Sequence, residues 1–300
     1  MRWRRYGLPL INSDKKIHVH PDGKKFLRVD SSCLEKDISL LRSGDFFGAM
    51  IGRIHGYALD DVEFLKEIPD LQGVHIQDEI PNVSAVNAMT QLKYLLMASP
   101  SNTIDVSKFP VLRELRVVGW NANLIRIEES VSLEILYVNQ FSPGKSGISI
   151  LAPGSGLKEL EIVQSSVSSL DGLERFAQLS ALTLRYCTKL EDISQLQCLR
   201  KSLRKLILDC NKRISDFAPV GALTHLENLS ISGCGKVPSI GFVRTLRKLE
   251  TIGLMSGTTI VDGDLEPLLS LPHLRFAAVD NKKHYSHTAS ALKQALESRS

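Results

Sequence analysis

Residues Pro143-Gly144-Lys145-Ser146-Gly147 contain the Gly-Lys-Ser of a phosphate-binding loop. A complete loop of that kind needs a glycine five residues before Gly144, where Asn139 stands instead. It also needs a helix next, so that backbone amides and the helix dipole can hold the phosphate. The following run, Ile148-Ser149-Ile150-Leu151, is not helical in pattern, and the segment reads as an exposed loop. His18 and His20 would share one face of a strand, a spacing that can chelate metal, and His284 and His287 form a second pair. No cluster of carboxylates or cysteines accompanies either pair, so both read as solvated histidines and no metal or cofactor is expected. Glu159 and Glu161 face the same side of a strand, as paired acids in general acid–base catalysis do. No nucleophile motif with a matching histidine is legible, and the pair reads as an acidic spot on a binding surface. The sequence therefore points to a protein that is not an enzyme.

Composition narrows the field further. The chain of 300 residues is 43% hydrophobic and 6% aromatic, with a net charge of +4. So mild a charge does not favour nucleic acid. A basic run in the C-terminal half (Arg200, Lys201, Arg204, Lys205, Lys212, Arg213, Arg244, Arg247, Lys248) falls mostly on a lateral edge. It lacks interleaved aromatics and reads as a solvated edge. The five cysteines, Cys33, Cys187, Cys198, Cys210 and Cys234, are odd in number and show no dense pairing pattern. They read as reduced thiols. The start, MRWRRYGLPLINSDKK, has too short an apolar run for a signal peptide, and no stretch approaches a membrane span. A cytoplasmic location is the expectation.

The elements that must position these residues share one unit. Leu179 to Leu190 reads LSALTLRYCTKL, with Leu at positions 1, 4, 6 and 12 and Cys at position 9. Positions 3 to 7 suit a short strand, so residues 4 and 6 point inward while 3, 5 and 7 point outward. The inward residue at 9 can satisfy backbone groups left open by the turn. Coils in the same phase begin at Leu71, Leu92, Leu112, Leu133, Leu157, Leu179, Leu203, Leu226, Leu249 and Leu274, at steps of 20 to 25 residues, and a degenerate one begins at Phe46. One such coil cannot bury its apolar side alone, whereas stacked coils can.

Three segments follow. Residues 1–45 read as an N-terminal cap, with a β-hairpin over 17–20 and 26–29 and a short helix over 34–41. Residues 46–280 read as the repeat array of about 10–11 coils. Residues 281–300 read as a C-terminal capping helix, from the apolar spacing of Ser290 to Glu297. Asp264 to Leu271 is a second candidate helix, and the segments around Asp192 and Asp216 are short enough for 3₁₀ turns.

The pattern L-x-x-L-x-L-x-x-C-x-x-L resembles the leucine-rich repeat family over roughly residues 46–280. Segments such as I-S-D-F-A-P-V and L-E-D-I-S-Q-L look like the short bacterial repeats of internalins, and the coils with Cys187 and Cys234 look like the cysteine-containing type. Position 9 departs from Asn or Cys at Pro100, Trp120 and Phe141. The resemblance implies an α/β solenoid, a curved right-handed coil with a parallel sheet on its concave face and short helical or 3₁₀ segments on its convex face. It also implies recognition of another protein on the concave face, with the neutralisation of a toxin or the action of an effector by binding an enzyme as the alternative. The outward positions carry His75, Tyr94, Arg116, Tyr137, Asn139, Glu159, Glu161, Thr183, Arg185, Lys205, Asp209, Thr251 and Phe276, with Tyr186 at the edge. Tyr and Arg are enriched at binding hot spots, so Tyr94, Arg116, Tyr137, Asn139, Glu159, Glu161, Thr183, Arg185 and Tyr186 are the candidate contacts. Arg116, Tyr137 and Glu161 share position 5 of successive coils and are expected to form an exposed row.

Overall fold

The computed structural model describes residues 16–151 and 156–298. The chain falls into two compact units, Met1–Leu133 and Glu134–Ser300. In the first, hairpin strands β1 (Ile17–Val19) and β2 (Lys25–Val29) pair antiparallel. Helix α1 (Leu34–Arg42) follows. Then β2, β3 (Gly48–Ile51), β4 (Gly73–Ile76), β5 (Tyr94–Ala98) and β6 (Glu114–Val118) form one parallel ladder. Parallel pairing thus begins inside the segment that the sequence assigns to the cap.

The second unit holds β7 (Ile135–Asn139), β8 (Glu159–Val163), β9 (Ala181–Arg185), β10 (Lys205–Asp209), β11 (Asn228–Ser232), β12 (Thr251–Leu254) and β13 (Phe276–Val279). All pair in parallel with their neighbours. Helix α2 (Glu266–Leu269) precedes β13, and α3 (Ala289–Glu297) packs on it.

The register keeps like positions side by side. Leu136, Leu160, Leu182, Leu206, Leu229, Ile252 and Ala277 form one inward row, each residue opposite the next. Nearly all of this row is solvent-free, as is its counterpart in the first unit, Leu27, Ala49, Val74, Leu95 and Leu115. Burying a leucine side chain contributes about 1.5–3 kcal/mol, so the rows supply the cohesion between coils.

The side opposite the strands is made of 3₁₀ turns, including Glu63–Glu67, Ser84–Ala88, Ser194–Leu199 and Ala218–Ala222. An Asx residue leads each of them. The side chains of Asp61, Asn82, Asp192 and Asp216 accept hydrogen bonds from the backbone N–H of Glu63, Ser84, Ser194 and Ala218, two residues on. Such Asx turns redirect the chain without a long helix.

Two devices turn the coils that carry β6 to β12 after their strands. Position 8 takes a left-handed backbone, filled by Gly119, Gln140, Gln164, Tyr186, Cys210, Gly233 and Ser256 in successive coils. Position 9 then points inward. Cys187 Sγ, Asn211 Nδ2 and Cys234 Sγ donate to the carbonyls of Ile162, Leu184 and Leu208 in the preceding coils, at 3.9, 2.8 and 3.4 Å. In the coil beginning at Leu249 position 9 is Gly257, and Thr258, one residue on, donates its Oγ1–H to Ile231 O at 2.8 Å. The chain after Phe141 forms a 3₁₀ segment, Gly144–Leu151, broken at Gly147 with φ 59°. The non-helical run expected at Ile148–Leu151 is thus a helical turn, because Ile148 and Leu151 must turn inward to be buried.

Candidate functional site

The outward face of the first unit is covered by its own side chains. Position 3 of successive strands reads Phe26, Gly48, Gly73, Tyr94 and Glu114. The Phe26 ring lies over the two glycines, where a Cβ on Gly48 would come within 2.5 Å of it and one on Gly73 within 2.9 Å. It reaches Tyr94 with ring centroids 5.4 Å apart, and Phe47 packs on it at 5.5 Å. Met50 and Leu96 complete a buried cluster. His20 meets the Tyr94 ring edge at 5.7 Å, and Lys24 Nζ stands 5.0 Å from the centre of the Phe47 ring. Hence Tyr94 is buried rather than presented to a partner, correcting the expected exposure. Burial pushes its phenol well above the ordinary range.

Here too lie the first histidines. His18 is buried against Phe26, not solvated as its place in a cap suggests, because it pairs opposite Phe26 on the covered face. His284 and His287 do not converge. His284 Nε2 contacts Ile260 O at 2.9 Å, and His287 Nε2 meets Glu266 Oε1 at 2.8 Å. Among the described residues no group of three metal-ligating side chains forms.

In the second unit the outward face changes character along the ladder. Position 5 runs Tyr137, Glu161, Thr183, Ile207, Ser230, Gly253 and Ala278. Its first part is a packed polar surface. Tyr137 is only 2% exposed, and Asn139 and Thr183 are also buried. These three correct the expected exposure. Side chains on neighbouring strands stand about 4.8 Å apart and shield one another, as Tyr137 and Glu161 do in register. Asn139 Nδ2 reaches Gln164 Oε1 at 3.5 Å. Glu159 is exposed, whereas Glu161 pairs with Arg185, Nη1 to Oε1 at 3.2 Å. Tyr186 projects from its left-handed turn, 45% exposed. Arg116 belongs to the first unit, where it lies opposite Leu96 and donates to Glu114 at 2.5 Å.

The second part is open. As position 5 shrinks from Ile207 to Ser230, Gly253 and Ala278, a depression of about 260 Å³ forms across β10 to β13. Lys205, Asn228, Thr251 and Phe276 line one lip and Met255 stands on the other. Phe276 is 59% exposed and Met255 40%. A Cβ at Gly253 would meet nothing nearer than Ser230 Oγ at 3.6 Å, so the hollow is space without backbone strain. Single residues named this region in the sequence, but the hollow is a property of side-chain size along one row, which no single coil displays.

No family model matches the sequence, and no curated protein is similar to it. In fold the chain is similar to internalin C2 of Listeria monocytogenes, with TM-score 0.45 and 18% identity over 70% of this chain and 83% of that one. It is also similar to a leucine-rich repeat protein of Leptospira interrogans, with TM-score 0.49 and 14% identity over 81% and 63%. A third is the functional domain of InlJ from Listeria monocytogenes, which includes a cysteine ladder, with TM-score 0.43 and 16% identity over 78% and 58%. Inward rows in constant phase, one parallel strand per coil and short 3₁₀ turns behind the strands, several of them Asx-led, define the architecture on their own: this chain has a leucine-rich repeat fold.

Proposed function

We propose that this protein is a non-catalytic binding module whose partner is another protein, docked on the outward face of the second unit over the depression at β10 to β13. The observation that carries the reading is the pair Phe276 and Met255. Both are large, apolar and exposed on opposite lips of an open hollow whose volume could take a side chain. At about 260 Å³ it is smaller than the ~300–1,000 Å³ usual for small-molecule sites. Apolar anchors seated in pockets, with polar neighbours around them, dominate protein interfaces. Lys205, Asn228 and Thr251 supply such a polar rim.

A photo-crosslinking amino acid at position 255 in the native cell traps the partner, and titration of that partner tests the site. Phe276→Ala and Gly253→Gln should each weaken binding by tenfold or more, about 1.4 kcal/mol, with thermal stability unchanged. Lys212→Glu, away from the hollow, should leave it unaltered. Affinities unchanged in both hollow variants would place the interface elsewhere.

A further inference from the structure

A thiol, an amine and a buried carboxylate meet in the first unit. Lys16 directly precedes β1, and its carbonyl accepts the Arg28 N–H at 2.9 Å, which ties its backbone to β2. Cys33 ends the 3₁₀ turn Ser31–Cys33 that runs into α1, and it is half-buried. Asp37 stands on the first turn of α1 with its side chain wholly buried. Lys16 Nζ donates to Cys33 Sγ at 3.3 Å and to Asp37 Oδ2 at 2.8 Å. The same Oδ2 accepts the Asp30 N–H at 2.9 Å and the Cys33 thiol at 3.8 Å. Asp37 Oδ1 is buried with no hydrogen-bond partner among the described residues, so the carboxylate keeps spare capacity for a proton. We infer that Lys16 and Cys33 form an oxidative covalent link: a peroxide oxidises the thiol to a sulfenic acid, and the lysine amine then closes a sulfenamide bond to the sulfur.

Both steps balance. In the first, the Cys33 sulfur attacks one peroxide oxygen and the O–O bond breaks. Sulfur is oxidised to sulfenic acid, and the other oxygen is reduced and leaves as water with the thiol proton. In the second, nitrogen condenses with the sulfenic sulfur. Burial alone would lower the Lys16 pKa, but its bonds to Asp37 and Cys33 raise it above the ordinary lysine value. It is therefore an ammonium at neutral pH, a counter-ion for the thiolate that attacks peroxide. The ammonium passes one proton to the Asp37 carboxylate, which releases it to solvent. Nζ then forms the S–N bond as the S–O bond breaks, and the departing hydroxide takes a second proton from nitrogen as water. One peroxide is consumed, two waters form, and the pair of side chains loses two hydrogens. The separation of 3.3 Å already lies within the ~3–3.5 Å of a near-attack geometry, so closure needs no movement of the backbone.

The link would fasten β1 to α1. β1 is three residues long, and its described pairing is with β2 alone. Lys16 and Cys33 are 17 residues apart in sequence, and closing a loop of that length removes conformations from the opened state. The oxidised cap should therefore open less often than the reduced one. Cys198 supplies a comparison within the chain. It is exposed, and its Sγ donates to Gln195 Oε1 at 3.3 Å, an amide oxygen that cannot close such a bond.

Hydrogen peroxide added to the full folded chain, followed by digestion and mass spectrometry, tests the link. A peptide holding Lys16 should appear joined to one holding Cys33, lighter than the reduced pair by two hydrogens and separable by dithiothreitol. Cys198 in the same sample should climb to sulfinic and sulfonic acid. Lys16→Arg keeps the positive charge but offers no free amine, so its Cys33 should follow Cys198. In hydrogen exchange, peptides spanning 17–29 should open at least tenfold less often in oxidised than in reduced wild type, with no such difference in Lys16→Arg or Cys33→Ser. Cys33 left reduced or taken to sulfinic acid with Lys16 unlinked would overturn the inference. So would a link that forms equally well in denaturant, or linked chains whose 17–29 segment exchanges as before.

Discussion

Phe26 and Tyr94 touch across two intervening strands. Their positions are three ladder steps apart, about 14 Å of backbone at 4.8 Å per step, yet their ring centroids lie 5.4 Å apart. Only the absence of side chains at Gly48 and Gly73 allows it. Gly48→Ala should therefore destabilise the chain by about 1–3 kcal/mol, since its Cβ would stand 2.4 Å from Gly73 O and 2.5 Å from the Phe26 ring. Gly253→Ala, on open ground, should be neutral or stabilising by up to ~1 kcal/mol. Urea midpoints of the two variants make the comparison.

The inward rows predict local damage. Leu182→Ala should cost about 2–5 kcal/mol, because transfer and cavity terms add. Hydrogen exchange should quicken in β8 and β10, which flank Leu182 in register, more than in β13. An unchanged denaturation midpoint would remove Leu182 from the core.

Asn211 holds two coils at once. Its Nδ2 donates to Leu184 O at 2.8 Å and its Oδ1 accepts the Cys187 N–H at 2.9 Å, both fully buried. Asn211→Leu leaves both backbone groups without a partner, at a cost of about 2–4 kcal/mol. Asn211→Asp should keep the accepted bond and lose the donated one. Calorimetry of both should therefore rank wild type first, and retention of the wild-type Tm by Asn211→Leu would contradict the bonding described.

Thiol chemistry reports the same turns. Burial pushes Cys187 up to about 12 and Cys234 to about 11. At pH 8 roughly one thiol in ten thousand and one in a thousand, respectively, is the reactive thiolate. A charged maleimide should label exposed Cys198 promptly and reach Cys187 and Cys234 only in denaturant. Raising the pH to 9 should not change that order. Fast native labelling of Cys187 would show the position-9 turn to be open.

The inward rows were legible because period and spacing alone decide them: Leu160, Leu182 and Leu206 recur in phase and pack as the phase requires. Outward exposure was not legible, because it depends on what stands one strand away. Tyr94 is hidden by a phenylalanine 68 residues earlier (94 − 26), through glycines that belong to neither coil. Tyr137 is likewise shielded, so Tyr137→Ala should cost about 3–5 kcal/mol of stability. The hollow at Gly253 escaped for the converse reason. Its residues are unremarkable one by one, and only the row Ile207, Ser230, Gly253, Ala278 forms it.

The left-handed residue at position 8 bears on how such a chain can change with time. Non-glycine residues hold it at Gln140, Gln164, Tyr186, Cys210 and Ser256, at a conformational cost of about 1–2 kcal/mol each. Stacking outweighs that cost in each of these five coils. The corner is thus open to many residue types, and it sits beside the outward face. A large side chain can appear there, as Tyr186 has, without touching the buried rows. Duplication of a coil copies the corner together with its freedom, so lineages of such chains can extend and diversify a surface while inheriting one interior.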